Sequence, residues 1–411
     1  MDLLYIFLAF VVAEINSEFG RDEDDEVVSY RGYQIWRLNF QQCVIPDEVV
    51  DKINEMRDVL GKNDEFIDFL LSPSDTKEWN QYLYSYNITY EITTYDVEEK
   101  IEQERFIMSD IRRKDDRDPD IIGRLNFTSF PRLHDLEEYY ARLKRQNPWA
   151  VKIITAGLTN RNTSITCIIL SDRRINAPAI LIDGGMHGRE WTSVFSVLYF
   201  LESIAWNFTS QPEFIRNKMW FIIPILNPDG YEYSMTKDRL WSKNRRRFSG
   251  RCDGVDINRN FDVSWCDFKA SIFICSNVYC GPLEFSERES STIRDLFKYQ
   301  IFSAYVTVHS YGSRVMYPYP SQELSTHQRV TDGMAAVMRG VVGQYFRATA
   351  ERSGKEYGAG TSVDWMYFVN SVAHSYVIET RGGDYFVQGD EMEVSGLEVA
   401  AALRFMAQAM G

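Results

Sequence analysis

Histidine is scarce in this chain, with five residues in 411: His134, His187, His309, His327 and His374. Any chemistry that needs imidazole must draw on these few. Basic residues are also in deficit. Lys and Arg total 45 against 59 Asp and Glu, a net charge of −14, which argues against a nucleic-acid partner. The acidic run Asp22-Glu23-Asp24-Asp25-Glu26 reads as a solvated arm. No apolar run is long enough to cross a bilayer, so no membrane passage is expected. Internal repeats, a Gly-rich phosphate loop, G-x-S-x-G and any C-x2-C pair are all missing. These absences set aside phosphate cradles and the serine-hydrolase elbow.

The run Leu3–Ala13, "LLYIFLAFVVA", closes on a small residue and gives way at once to polar sequence. It reads as a secretory signal peptide covering residues 1–16, although the first Arg is only Arg21. A buried N-terminal helix is the competing reading. Secretion fits the sequons at Asn87, Asn126, Asn162 and Asn207. Four cysteines, Cys252, Cys266, Cys275 and Cys280, crowd into 29 positions, which in an oxidising compartment suggests two local disulfides. A four-cysteine zinc knuckle competes with that reading, without the usual C-x2-C spacing. Cys43 and Cys167 stand alone and read as buried thiols.

Two blocks are separated by a polar stretch. In the first, "YQIWRLNF" alternates with Trp36, Leu38 and Phe40 on one face, as a strand does. The helical stripe Val49, Ile53, Met56 and Leu60 follows, closed by Gly61. "EFIDFLL" and "ITYEITT" read as strands, "DTKEWNQYL" and "YDVEEKIEQERFI" as helices. Residues 111–124 then carry Arg112, Arg113, Lys114, Arg117 and Arg124 with no hydrophobic period, which predicts a linker open to a trypsin-like protease. From Leu125 onward, β-branched runs alternate with amphipathic helices. That pattern predicts an α/β fold with a mainly parallel sheet, whose sites lie beyond the carboxyl ends of its strands. Three of the runs, "APAILIDGG", "FSAYVTVHS" and "HSYVIET", end at or near His187, His309 and Glu379.

His187 and Glu190 are three residues apart in "HGRE", a spacing that also suits a plain polar turn. His309 follows 119 residues after Glu190. A close pair with one distant ligand is a common plan for catalytic zinc, with three protein ligands and an open position. Beyond these, "HGREW", "LNPDGYEYS", "RLWSKNRR", "CDGVDINRNFD", "CGPLEFSERE", "VHSYGSRVMYPY", "GTSVDW" and "YVIETR" occur in order. Together they resemble the zinc metallocarboxypeptidases of the pancreatic A/B type, whose ligand set is two histidines and a glutamate. The resemblance runs from Phe127 to the C-terminus, and the block before the linker resembles that family's activation domain.

The resemblance implies a secreted zymogen in four parts: signal peptide (residues 1–16), α+β activation domain (20–110), cleavable linker (111–124) and catalytic domain (125–411). The catalytic domain is then a twisted, mainly parallel mixed sheet flanked by helices. His187, Glu190 and His309 become ligands of one zinc ion, Asp256 orients the first ligand, and Glu379 is the catalytic base. Asn258 and Arg259 clamp a substrate's C-terminal carboxylate. Arg189, Ser310 and Tyr311 line neighbouring subsites, and Val363 forms the base of a pocket for apolar or aromatic side chains. The resemblance also implies a Cys252–Cys275 bridge, and with it Cys266–Cys280. The expected partners are peptide C-termini and an activating trypsin-like protease, with the chain a monomer.

Two positions depart from the pattern. Ser242 stands where the family usually carries an Arg that polarises the scissile carbonyl. Glu356 stands where a mobile Tyr closes over substrate, and its neighbour Tyr357 is the nearest tyrosine and the candidate substrate-binding residue there. Both departures keep a second reading open, a catalytically weak or silent relative that binds zinc and peptide ends.

Overall fold

A computed structural model describes residues 26–42, 44–55, 59–62, 65–115, 125, 129–174, 176–250, 252–318, 324–342, 349–352, 359–386 and 389–410. The expected signal peptide, Cys43, linker residues 116–124, Asn126, Glu356 and Tyr357 lie outside the described residues.

The first block is a small α+β unit: β1 (Gln34–Asn39), α1 (Asp47–Glu55), β2 (Val59–Lys62), β3 (Phe66–Leu71), α2 (Thr76–Ser85), β4 (Glu91–Thr94) and α3 (Val97–Asp115). Its sheet is antiparallel in the order β2-β3-β1-β4. Alternation works as the sequence predicts: Trp36 and Leu38 point into one core with Val49, Ile53, Ile67, Phe69, Trp79 and Leu83, and Phe40 packs against it.

Two expectations need correction here. The helical stripe does not run on to Leu60. Helix α1 ends at Glu55, and Val59–Lys62 instead pair with β3, Val59 opposite Phe69 and Gly61 opposite Asp68. Gly61 is no helix stop. A Cβ there would sit 2.6 Å from the Tyr311 hydroxyl, so the glycine permits close approach to the second block. The expected linker also starts inside a helix, because α3 continues through Ile111–Asp115.

The second block contains α4 (Leu133–Gln146), β5 (Val151–Leu158), β6 (Ser164–Leu170), β7 (Ala179–Asp183), α5 (Trp191–Ala205), β8 (Met219–Ile223), α6 (Pro228–Thr236), α7 (Arg288–Leu296), β9 (Ala304–His309), β10 (Arg314–Tyr317), α8 (Leu324–Val342), β11 (Thr349–Arg352), β12 (His374–Glu379) and α9 (Asp390–Ala409). The described strands form one mixed sheet, β11-β10-β12-β9-β7-β8-β6-β5. Its centre, β12-β9-β7-β8, is parallel, and antiparallel pairs flank it. Strands β7 and β9 are buried along their whole length, hence their nearly unbroken apolar sequence. One core layer joins α4, α5, α8 and α9 to the sheet, and a second lies on the α7 side with Ile257, Phe261, Val363 and Trp365. Helix α5 is apolar almost all round because it packs against both the sheet and α9. No described helix is long and apolar enough to cross a membrane.

The two blocks share a third apolar cluster, Leu60, Leu70, Val97 and Ile101 against Leu240, Tyr311, Tyr385 and Phe386. Beside it, Glu104 of α3 makes a bidentate pair with Arg239 (2.5 and 2.9 Å), both side chains 2% exposed. Lys100–Asp384 (3.1 Å) and Tyr30–Asp238 (2.6 Å) add polar contacts at the rim. Removing one partner of a buried pair strands the other's charge. Glu104→Ala should therefore lower the stability of the intact chain by about 3–5 kcal/mol in urea denaturation. Glu102→Ala, on the exposed face of the same helix, should change little.

Candidate metal centre and active site

Strands β12, β9 and β7 are neighbours and end at one edge of the sheet. Glu379 closes β12 opposite His309, which closes β9, and Asp183 closes β7 opposite Thr307. The chain then turns through Gly184–Gly188 into α5 and carries His187 and Glu190 over those strand ends. The turn is tied on every side. Ser193 Oγ accepts from Gly185 N–H (3.0 Å) and donates to the Glu190 carbonyl (2.7 Å), and Asn227 Nδ2 donates to the Met186 carbonyl (3.1 Å). Gly188 N–H donates to the Ser242 carbonyl (2.8 Å), and a Cβ on Gly188 would lie 2.4 Å from the Gly230 carbonyl oxygen.

Within this frame Glu190 bridges the two histidines. Its Oε1 lies 2.7 Å from His187 Nδ1, and its Oε2 lies 3.0 Å from His309 Nδ1 and from the Ser310 N–H that donates to it. Ligand atoms of His187, Glu190 and His309 all fall within 4.8 Å of one another. Each histidine is also held from behind. His187 Nε2 is 3.0 Å from Asp256 Oδ1. His309 Nε2 is 3.1 Å from Thr307 Oγ1, which donates to buried Asp183 (2.8 Å). Burial opposes a charge on His187, but Glu190 and Asp256 outweigh it and raise its pKa to about 10. Burial likewise opposes the Glu190 carboxylate, and the two imidazoles overcome that and hold its pKa low. Two imidazoles and one carboxylate, with both outer nitrogens anchored, fit the donor chemistry of a divalent zinc ion.

The other expected residues gather around this centre. Glu379 is 8% exposed, and its Oε2 accepts from Arg314 Nε (2.8 Å). Burial pushes the Glu379 pKa up and Arg314 opposes it. Arg381, the strand-end cation adjacent in sequence, pairs with Glu398 instead (2.9 Å). Asp256 caps a short 3-10 turn, Ile257–Arg259, by accepting from Asn258 N–H (2.9 Å). Asn258 is buried and accepts from Ser362 N–H (3.0 Å), while the Arg259 guanidinium reaches the Lys269 carbonyl (3.0 Å) and the Asn258 carbonyl (2.8 Å). Val363 is wholly buried among Met316, Trp365, Met366 and Val377. Ser310 accepts from Thr380 Oγ1 (3.1 Å).

Two expected subsite residues are engaged by the small unit. Tyr311 donates to Asp68 of β3 (2.7 Å), and Arg189 donates to the Val59 carbonyl of β2 (3.4 Å). Tyr385 donates to the next carbonyl, Leu60 (2.5 Å), and its ring lies 4.6 Å below the Arg189 guanidinium.

A family profile described as zinc carboxypeptidase matches residues 136–402, and one described as carboxypeptidase activation peptide matches residues 47–104. The chain belongs to the zinc carboxypeptidase family. Among its relatives, zinc carboxypeptidase A 1 of Anopheles gambiae is 26% identical over 375 residues, 87% of this chain and 84% of that protein. Carboxypeptidase A2 of Mus musculus is 30% identical over 318 residues, 74% of each. The crystal structure of carboxypeptidase A from Helicoverpa armigera superposes with a TM-score of 0.84 at 23% identity, covering 92% of this chain and 98% of that one. That likeness concerns the fold.

Both bridges, Cys252–Cys275 and Cys266–Cys280, are present, so these four sulfurs are not available as a zinc knuckle. Cys167 is a buried thiol. The remaining histidines stay outside the centre: His134 is exposed beside Asp135, His327 stacks on Tyr317 and His374 borders Tyr376. Ser242 is buried, and the cations that follow it in sequence are committed elsewhere. Lys243 Nζ donates to the Ile274 carbonyl (2.7 Å), Arg245 stacks on Tyr233 (3.5 Å) and Arg246 pairs with Glu287 (2.7 Å). Sequence reading missed Thr307, Asp183 and Arg314. The period-2 spacing of Thr307 and His309 on β9 was the available signal for the first.

Asp256→Ala should weaken zinc affinity about 10–100-fold, since removing an anchor behind a ligand typically has that effect. Competition against a chromogenic chelator measures it directly.

Proposed function

We propose that this chain is the secreted zymogen of a zinc carboxypeptidase that removes single apolar or aromatic residues from peptide C-termini. The observation that carries the reading is the joint position of His187, Glu190 and His309 beside Glu379, at the carboxyl ends of adjacent strands. One zinc ion held by the three ligands would acidify a water and polarise the scissile carbonyl. Glu379 takes the proton of the attacking water and returns it to the leaving amine. Arg259, with its planar fork, and Asn258 hold the free C-terminal carboxylate and so set the register of the cut. Val363, among apolar neighbours, gives the side-chain pocket a floor without charge. Ser310, Tyr311 and Arg189 contact residues further up the peptide.

In the zymogen, β2 and β3 lie against Arg189 and Tyr311 and keep a peptide from those positions. Cleavage between Arg112 and Arg124 by a trypsin-like protease releases them. The signal peptide and the disulfide pair support secretion, and the sequons are its glycan sites.

A weak or silent relative is the second reading. It is favoured by Ser242, because Lys243, Arg245 and Arg246 are all occupied away from the centre.

Trypsin-trimmed protein should cleave peptides ending in free Phe, Leu or Tyr faster than those ending in Lys or Arg. It should spare amidated peptides and lose activity to a chelator. A preference for C-terminal Arg would move the specificity away from Val363. Ser242→Arg should raise kcat by up to about 10²–10³-fold with KM nearly unchanged, the signature of a contact made in the transition state. If both forms bind zinc and peptide yet cleave nothing, the binding protein is the better reading.

A further inference from the structure

We propose that Arg314 is a positioning residue for the carboxypeptidase reaction, clamping one oxygen of Glu379 and leaving the other to handle the proton. The proposal rests on reading Glu379 as the base.

Arg314 opens β10 directly opposite Glu379 in the antiparallel β10–β12 pair, so the two side chains emerge on the same face. Both Nε (2.8 Å) and Nη2 (2.7 Å) reach the same atom, Oε2. Such charge-assisted bonds are short and strong, and two of them on one oxygen anchor that oxygen in place. Among the described residues, no hydrogen bond to Oε1 is found. The backbone makes room for this arrangement at Gly312, where a Cβ would lie 1.9 Å from Glu379 Oε2 and 3.3 Å from Arg314 Nε.

Arg314 also meets an electrostatic need. The Glu379 carboxylate is only 8% exposed, and Arg314 sets a cation directly against it. Arg381 cannot supply the charge, because it is paired with Glu398 (2.9 and 3.1 Å).

The test uses the full chain trimmed with trypsin, comparing Arg314→Met, Arg314→Lys and Glu379→Gln. For Arg314→Met, kcat should fall about 10²-fold, a loss that a misplacement of about 1 Å can cause. KM, zinc content by elemental analysis and calorimetric affinity for a non-cleavable peptide ending in Phe should be unchanged. Arg314→Lys keeps the charge but not the fork, and should recover part of the loss. An unchanged kcat in Arg314→Met overturns the proposal. So does an equal fall in both Arg314 variants accompanied by zinc loss and weaker peptide binding, which marks a purely structural role. If Arg314→Met does not fold, Arg314→Gln replaces it: Lys faster than Gln supports the clamp, and equal rates overturn it. Glu379→Gln separates the two readings, because wild-type cleavage by that variant removes the base itself and not merely its clamp.

Discussion

A single buried carboxylate, that of Glu190, ties the centre together. It reaches His187 on its own turn and both His309 and the Ser310 amide at the end of β9. A charge so deeply placed is tolerable only when every oxygen is partnered, and here each one is. The loop after β7 is thereby fastened to the tip of a strand whose sequence lies far downstream. Asp256, Thr307 and Asp183 then stiffen the imidazoles from behind. The geometry that suits a metal follows from satisfying one carboxylate.

Much of this could be read from the chain because the residues concerned end uninterrupted apolar runs. A parallel strand buried on both faces spells itself out in Val, Ile and aromatics, and the polar residue that stops it is conspicuous. His309 and Glu379 are such residues, and His187 follows the next strand by four positions. Local periodicity fails where a distant partner decides the structure. Leu60 continues the spacing of Val49 and Ile53, yet it turns toward Tyr311 and Tyr385 because β3 offers Val59 and Gly61 a pairing edge. Arg314 was equally hidden. Nothing in "YGSRVMYPY" indicates that its arginine lies across from Glu379; only the register of two strands 60 residues apart does.

Ser242 illustrates the converse error, in which nearness along the chain is taken for nearness in space. Three cations follow it within four residues, and each has a different partner, a loop carbonyl, an aromatic face and a buried glutamate. The guanidinium that does reach Glu379 comes from β10, through Arg314.

The covering strand β2 touches the second block through two backbone carbonyls and through the buried Leu60 side chain. Val59 and Leu60 offer carbonyl oxygens to Arg189 and Tyr385, and backbone oxygens are the same whatever side chain they carry. Substitution along β2 is therefore constrained at Leu60, whose side chain sits in the cluster shared by the two blocks, and at Gly61, because Tyr311 occupies the space of its missing Cβ. In a set of orthologues, this strand should keep an apolar residue followed by glycine at its middle two positions.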